Sequence, residues 1–297
     1  MQTNAVISCF QSAESWSILS DIELSIKNKI EAAGVPLKDW DIQINYGIKT
    51  GFNDAFIIDS AKRNIILDAC QSNDERQRTD EIIRPILRGR DIKRYSYVFA
   101  DQYIIATFPA KQYNIDDYPA LKDYLLAIGI ERLEQSGKEY VINGERIKAR
   151  KKTNNKWFET QDSISYWDEF SKPKIVWAEL SRTGNSFAYS DEGAMVLNTC
   201  YILSFSDNAR HEKELNNLLG FLNSKAALFY LDIISSKLDE TGWRWLKQFV
   251  ELIPVPVNLV FEEEGPFTNE DSASIDSQLY KQLGLSPDET KYLESLI

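Results

Sequence analysis

The densest group of binding-competent side chains spans 144–156, Gly-Glu-Arg-Ile-Lys-Ala-Arg-Lys-Lys-Thr-Asn-Asn-Lys, with six bases against one acid. Arg146, Lys148, Arg150, Lys151, Lys152 and Lys156 could neutralise successive phosphates, and Trp157 just beyond could stack or wedge. The competing reading is a solvated basic loop. A second cluster, Arg88, Arg90, Lys93 and Arg94, has the planar guanidinium forks that clamp phosphate or read guanine edges. Asp91 in its midst offers ion pairing as the alternative. A third group sits in Gly47-Ile48-Lys49-Thr50-Gly51-Phe52-Asn53-Asp54, where Lys49, Thr50 and Asn53 could face a partner. A tight turn whose Thr and Asn bond their own backbone explains the same residues. Arg182-Thr183-Gly184-Asn185 is a polar turn where Arg182 could read a base or simply close a hairpin.

Catalytic patterns are missing by comparison. The one histidine, His211, cannot supply a His-based metal cage, and a Ser-His-Asp or Cys-His arrangement around it is disfavoured. No Gly-x-Gly-x-x-Gly and no Gly-x-x-x-x-Gly-Lys cradle for a nucleotide is present. Glu289-Thr290-Lys291 has the letters of a nuclease Glu-x-Lys but follows a helix-capping sequence, where a solvated face is expected. No catalytic residue and no metal ligand is assigned.

With 297 residues, 43% hydrophobic and 27% charged, the chain has ordinary globular composition. Three cysteines, Cys9, Cys70 and Cys200, are too widely spaced for a zinc site and suit reduced thiols. The first residues lack the basic start and apolar run of a signal peptide, and no stretch reaches membrane-span length. A cytoplasmic location and no membrane partner are expected. The net charge of −11 argues superficially against a polyanionic partner. Its distribution weakens that argument: residues 261–297 hold nine acids and two bases. Local potential, more than net charge, steers association.

The elements that must position these groups read as a mixture of helix and strand. Residues 21–33 form an amphipathic helix with Ile22, Ile26 and Ile30 on one face, Asp21 as cap and Gly34 as stop. Residues 41–46 and 55–58 read as the arms of a hairpin around the Lys49 tip. Helix is expected over 75–87, strand at 97–99 and 103–108, and a helix from Pro119. Residues 146–156 read as loop. Strands are expected at 174–178, 187–189 and 198–205, and one long helix over 212–234. Ser286-Pro287-Asp288-Glu289 is a capping box. The linear division is an α/β domain over 1–211, a helical segment packing on it over 212–260, and an acidic linker with C-terminal helices over 261–297.

Taken in order, seven stretches carry a resemblance: 47–56, Ile86-Leu87-Arg88-Gly89-Arg90-Asp91-Ile92-Lys93-Arg94-Tyr95, Tyr118-Pro119-Ala120-Leu121, Trp157-Phe158-Glu159, Lys172-Pro173-Lys174-Ile175-Val176, Leu222-Asn223-Ser224-Lys225 and Ile253-Pro254-Val255-Pro256. Over about 15–258 the chain resembles the TaqI-like C-terminal specificity domain of fused restriction–modification enzymes and related adenine-N6 DNA methyltransferases. The resemblance implies a mixed α/β (α+β) target-recognition domain like those of type I specificity subunits, with a mixed, largely antiparallel sheet followed by packed helices. It implies double-stranded DNA as partner, no catalysis by the domain itself, and a methyltransferase domain upstream in the same polypeptide. S-adenosylmethionine would bind in that upstream domain, with no cofactor in this chain. The tail from Tyr280 to Glu289 resembles the C-terminus of such enzymes. A protein-interaction module docking a partner subunit through 212–250 and the acidic tail is the alternative.

Overall fold

The computed structural model describes residues 19–191, 193–206, 212–235, 242–263 and 265–296. Cys9 and His211 lie outside them. Helix α1 (Asp21–Ala33) starts at Ser20, whose hydroxyl accepts from the Glu23 amide while the Glu23 carboxylate reaches back to the Ser20 backbone. Ser20 is thus the cap and Asp21 the first helical residue, because a capping box satisfies two orphan amides at once. Strands β1 (Gly34–Pro36) and β2 (Ile42–Tyr46) follow.

The segment after β2 is not the expected hairpin. β2 and β3 (Ile57–Ile58) belong to different sheets, with helix α2 (Asn53–Phe56) between them. The two glycines explain the divergence. A Cβ on Gly47 would collide with the Leu197 carbonyl, and Gly51 takes a φ of +80°. Close backbone approach and a left-handed residue turn the chain away instead of folding it back.

Helix α3 (Ser60–Asp68) is capped by Asp59 and α4 (Asn73–Ile82) by Ser72. The run to Leu87, expected as helix, becomes β4 (Ile83–Leu87). Pro85 has no amide to donate and disfavours helix in the residue before it. β5 (Tyr103–Ile105) pairs antiparallel with both β3 and β4. The strand expected at 97–99 reduces to one bridge between Ile92 and Tyr97. Helix α5 (Pro119–Ile128) has Pro119 at its first position, as expected, and α6 (Ile130–Leu133) follows. β6 (Glu139–Ile142) and β7 (Glu145–Lys148) form a two-stranded ribbon. Asn143 and Gly144 close it with positive φ at both positions, which a two-residue hairpin turn requires. The start of the basic run, expected as loop, is therefore strand. β8 (Lys174–Ala178), β9 (Leu180–Ser181), β10 (Phe187–Ser190), β11 (Met195–Val196) and β12 (Cys200–Phe205) complete this part of the chain.

The chain divides into two compact units, each considered by itself. One comprises Ile42–Glu179 and Phe187–Glu212. It contains a four-stranded antiparallel sheet, order β10-β8-β12-β2, and a second sheet, β11-β4-β5-β3, in which only β11 and β4 run parallel. The fold is mixed α/β with largely antiparallel sheets. Ile86, Leu87, Val176, Ala188 and Ile202 share one core cluster; Phe56, Ile105, Leu121, Leu125 and Phe158 share another. Trp177 stacks on Tyr201 across β8 and β12 at 5.2 Å, and both are almost wholly buried. Each large ring removed from water in this way contributes about 2–3 kcal/mol.

The other unit comprises Met1–Asp41, Leu180–Ser186 and Lys213–Ile297. Its helices are α1, α7 (Glu212–Leu222), α8 (Lys225–Ile234), α9 (Lys247–Val250), α10 (Ser272–Gln282) and α11 (Pro287–Glu294). Short strands β13 (Trp243–Arg244) and β14 (Pro254–Pro256) pair with β9 and β1. The long helix expected over 212–234 is two helices. Ser224 caps α8, and the Asn185 amide donates to the carbonyls of Leu222 and Ser224 at the break. Glu289 closes the expected capping box at Ser286 and accepts from Lys29 Nζ and Ser25 Oγ, both at 2.6 Å. Contact thus groups residues 21–41 with the C-terminal helices, where a linear reading divides the chain at 211 and 260.

Candidate nucleic-acid interface

The two units differ in charge. The first has 23 bases and 25 acids, the second 11 and 20. Most of the net negative charge therefore resides with the C-terminal helices. There, Glu289 and Glu294 are engaged by Lys29 and Lys225.

Within the first unit, Arg150 organises the site. Strand alternation in β7 points Arg146 and Lys148 outward, and the chain then carries Arg150 inward, leaving it 4% exposed. Its Nε donates to Leu133 O at 2.8 Å, Nη1 to Thr50 O at 2.9 Å and Glu159 O at 2.7 Å, and Nη2 to Trp157 O at 2.6 Å. The guanidinium also lies 5.0 Å from the Phe56 ring centre. Burial pulls its pKa down to about 10, against the field of Glu159, so it stays protonated at neutral pH. One buried cation thus ties two separate loops, at Thr50 and at Trp157 and Glu159, to the end of α6.

Around that anchor lies a cleft of about 430 Å³. Lys49, Arg132, Arg146, Lys148, Arg150 and Lys151 line it, with Phe52 and Gln161 and with no acidic residue. Lys49 reaches it because the amides of Gln161 and Asp162 both donate to its carbonyl. Burial pushes the Asp162 carboxyl up while Lys49 and Lys151 pull it down, so one carboxylate lies within the field of these two cations. Convergent cations with no acid among the lining residues form a site for a polyanion backbone. Among the described residues no group of His, Cys, Asp and Glu could hold a metal ion.

Of the residues singled out from sequence, Lys49, Arg146, Lys148 and Lys151 meet at the cleft with accessible side chains. Arg150 is there as scaffold: four of its five N–H donors bond carbonyls and the side chain is buried, so it is not a phosphate contact. Thr50 is likewise withdrawn. It is 1% exposed, and its hydroxyl donates to Asn53 Oδ1 while accepting from the Phe52 amide. Trp157 packs edge-on against Phe158 at the margin of a core cluster instead of standing free to stack. Lys152 is exposed but outside the lining. Lys156 Nζ bonds Tyr113 O at 3.3 Å and lies 3.9 Å from Glu159.

The Arg88–Arg94 turn does not reach the cleft lining. Arg88 forks onto Asp91, Nε to Oδ2 at 2.8 Å and Nη2 to Oδ1 at 2.9 Å. Lys93 Nζ caps Arg90 O at 2.8 Å, and Arg94 lies over the Tyr95 ring. Arg90 is exposed. Arg182 is exposed in the other unit. Sequence reasoning missed Arg132. It sits between Glu131 and Glu134, so local charge counting cancels it, and only the fold brings it to Lys49 and Arg146.

No curated protein matches the chain. Among solved structures, the type IIG restriction endonuclease BpuSI is similar at 12% identity with a TM-score of 0.49, over 88% of this chain and 28% of that one. The type IIL restriction-modification enzyme MmeI, in complex with DNA, is similar at 12% identity with a TM-score of 0.44, over 87% of this chain and 32% of that one. This chain spans less than a third of the length of either. Among the described residues no helix is long and apolar enough to cross a membrane. The TaqI-like C-terminal specificity domain matches residues 84–255, more than half of the sequence, and the chain belongs to that family.

Proposed function

We propose that this chain is the DNA-recognition domain of a restriction–modification enzyme, reading a double-stranded target and presenting it to a catalytic domain elsewhere in the same polypeptide. The observation that carries this reading is the acid-free cleft of Lys49, Arg132, Arg146, Lys148 and Lys151. Family membership supports it. Adenine-N6 methylation with S-adenosylmethionine is the chemistry the catalytic domain would supply. No residue of this chain is assigned to the methyl donor or to catalysis, and the cytoplasm is the site of action. A docking role for the C-terminal helices gains no support, since Glu289 and Glu294 of its acidic tail bond within the second unit.

The test is duplex binding across salt. Each phosphate neutralised contributes a slope of roughly −0.9 in log affinity against log salt concentration. The Lys49→Gln/Lys148→Gln/Lys151→Gln variant should therefore lose roughly 2–3 from the magnitude of that slope. Its circular dichroism should be unchanged, because these side chains are exposed. A slope identical to that of the unmodified chain would sink the interface assignment.

A further inference from the structure

The β6–β7 ribbon pairs Glu139 with Lys148, Tyr140 with Ile147, Val141 with Arg146, and Ile142 with Glu145. Directly opposed residues on an antiparallel ribbon share a face, with Cβ atoms about 4.5–5.5 Å apart. Exposure follows that rule. Tyr140, Ile142 and Ile147 are half-buried, and the Tyr140 hydroxyl donates to Glu134 Oε2 at 2.6 Å. Glu139, Val141, Arg146 and Lys148 are exposed on the opposite face. Val141 is 72% exposed, more than any other large apolar side chain among the described residues. A bare β-branched side chain beside an arginine with no hydrogen bond or ion pair in the described structure is an odd surface for solvent alone. It is a suitable one for base edges. Glu139, the only acid on this face, stands opposite Lys148 in the register.

The dimensions agree. A major groove about 12 Å wide and 8.5 Å deep admits a two-stranded ribbon, and a four-residue strand extends roughly 13 Å. Resting on the DNA-recognition reading, we propose that the β6–β7 ribbon enters the major groove with its Val141–Arg146 face on the bases. Arg146 donates to N7 and O6 of a guanine, and Val141 covers the 5-methyl of a thymine. Lys49, Lys151 and, at the end of the ribbon away from its turn, Lys148 remain for the backbone phosphates. Because the paired Cβ atoms are about 5 Å apart and successive base pairs about 3.4 Å, the two bases lie within about two base-pair steps of each other.

The experiment selects binding duplexes from a randomised double-stranded pool with the unmodified chain, Arg146→Ala and Val141→Ala. The expected motif contains a guanine within about two steps of a thymine. Arg146→Ala should lose the preference for that guanine by roughly ten-fold or more. Replacing the thymine by uracil should weaken the unmodified chain about four-fold, the worth of one buried methyl, and should leave Val141→Ala unaffected. Both sites are exposed, so folding is preserved. Uniform weakening of all duplexes with the motif intact would overturn the inference while leaving DNA recognition standing. So would a motif lacking a guanine and a thymine within about two steps of each other. Failure of the unmodified chain to bind any duplex would overturn both.

Discussion

The basic run at 146–151 and the basic turn at 88–94 each hold four cations over a similar length of chain. Their fates differ. In the turn, Asp91 lies three residues from Arg88, and a 3-10 turn brings the two into a bidentate pair. In the run, Glu145 precedes the bases, and β-alternation sends Arg146 and Lys148 outward before Arg150 turns inward. A count of local charge becomes surface potential only where the bases are not forked onto an acid: Glu139 stands opposite Lys148 in the register, but among the described residues no ion pair holds Arg146, Lys148 or Lys151.

The largest effect separates the scaffold base from the surface bases of the run. Arg150→Ala should destabilise the protein by about 3 kcal/mol or more, since four carbonyls lose a charged donor. Arg150→Lys should recover only part, because one ammonium cannot span the same acceptors. Denaturant midpoints measure both, and near-native stability of Arg150→Ala would remove the distinction between buried and exposed bases.

An intermediate effect concerns the turn. Burial would raise the Asp91 pKa, but the hydrogen bonds from Arg88 outweigh it and hold the carboxyl below its usual range. A depressed folded-state pKa contributes stability that is present above the unfolded value and lost as pH falls through the folded one. Asp91→Asn should therefore cost about 1–2 kcal/mol at neutral pH, and the difference from the unmodified protein should shrink below about pH 4. The salt slope of DNA binding should stay the same. A slope change in Asp91→Asn would place the turn at the interface and break the contrast.

The smallest effect sharpens the boundary of the cleft. Arg132→Gln should lower the magnitude of the salt slope by roughly 0.9, one phosphate's share, with stability unchanged within about 0.5 kcal/mol. An unchanged slope would confine the interface to the residues of the basic run and Lys49.

Much of the local structure was readable because its causes are local. Pro119 starts its helix, Ser286 and Glu289 cap theirs, and the apolar runs at 174–178 and 200–205 are strands where alternation and composition place them. Two of the misreadings share one cause, a contact distant in sequence. The 47–59 segment was expected to fold on itself, but Gly47 packs against Leu197, 150 residues away. The helix expected over 212–234 breaks where Asn185 takes two carbonyls.

The site divides the same way. Sequence alone determined that bases concentrate near 146–156 and that seven motifs stand in the order of a specificity domain, because both are properties of adjacent residues. Tertiary structure alone decided that Arg150 is interior and Lys151 exterior, that Thr50 is buried, and that Arg132 joins Lys49 at the cleft. The Arg150–Thr50 bond joins residues 100 positions apart. No periodicity reports such a contact, since it depends on which distant carbonyls the fold brings within hydrogen-bond reach of a cation.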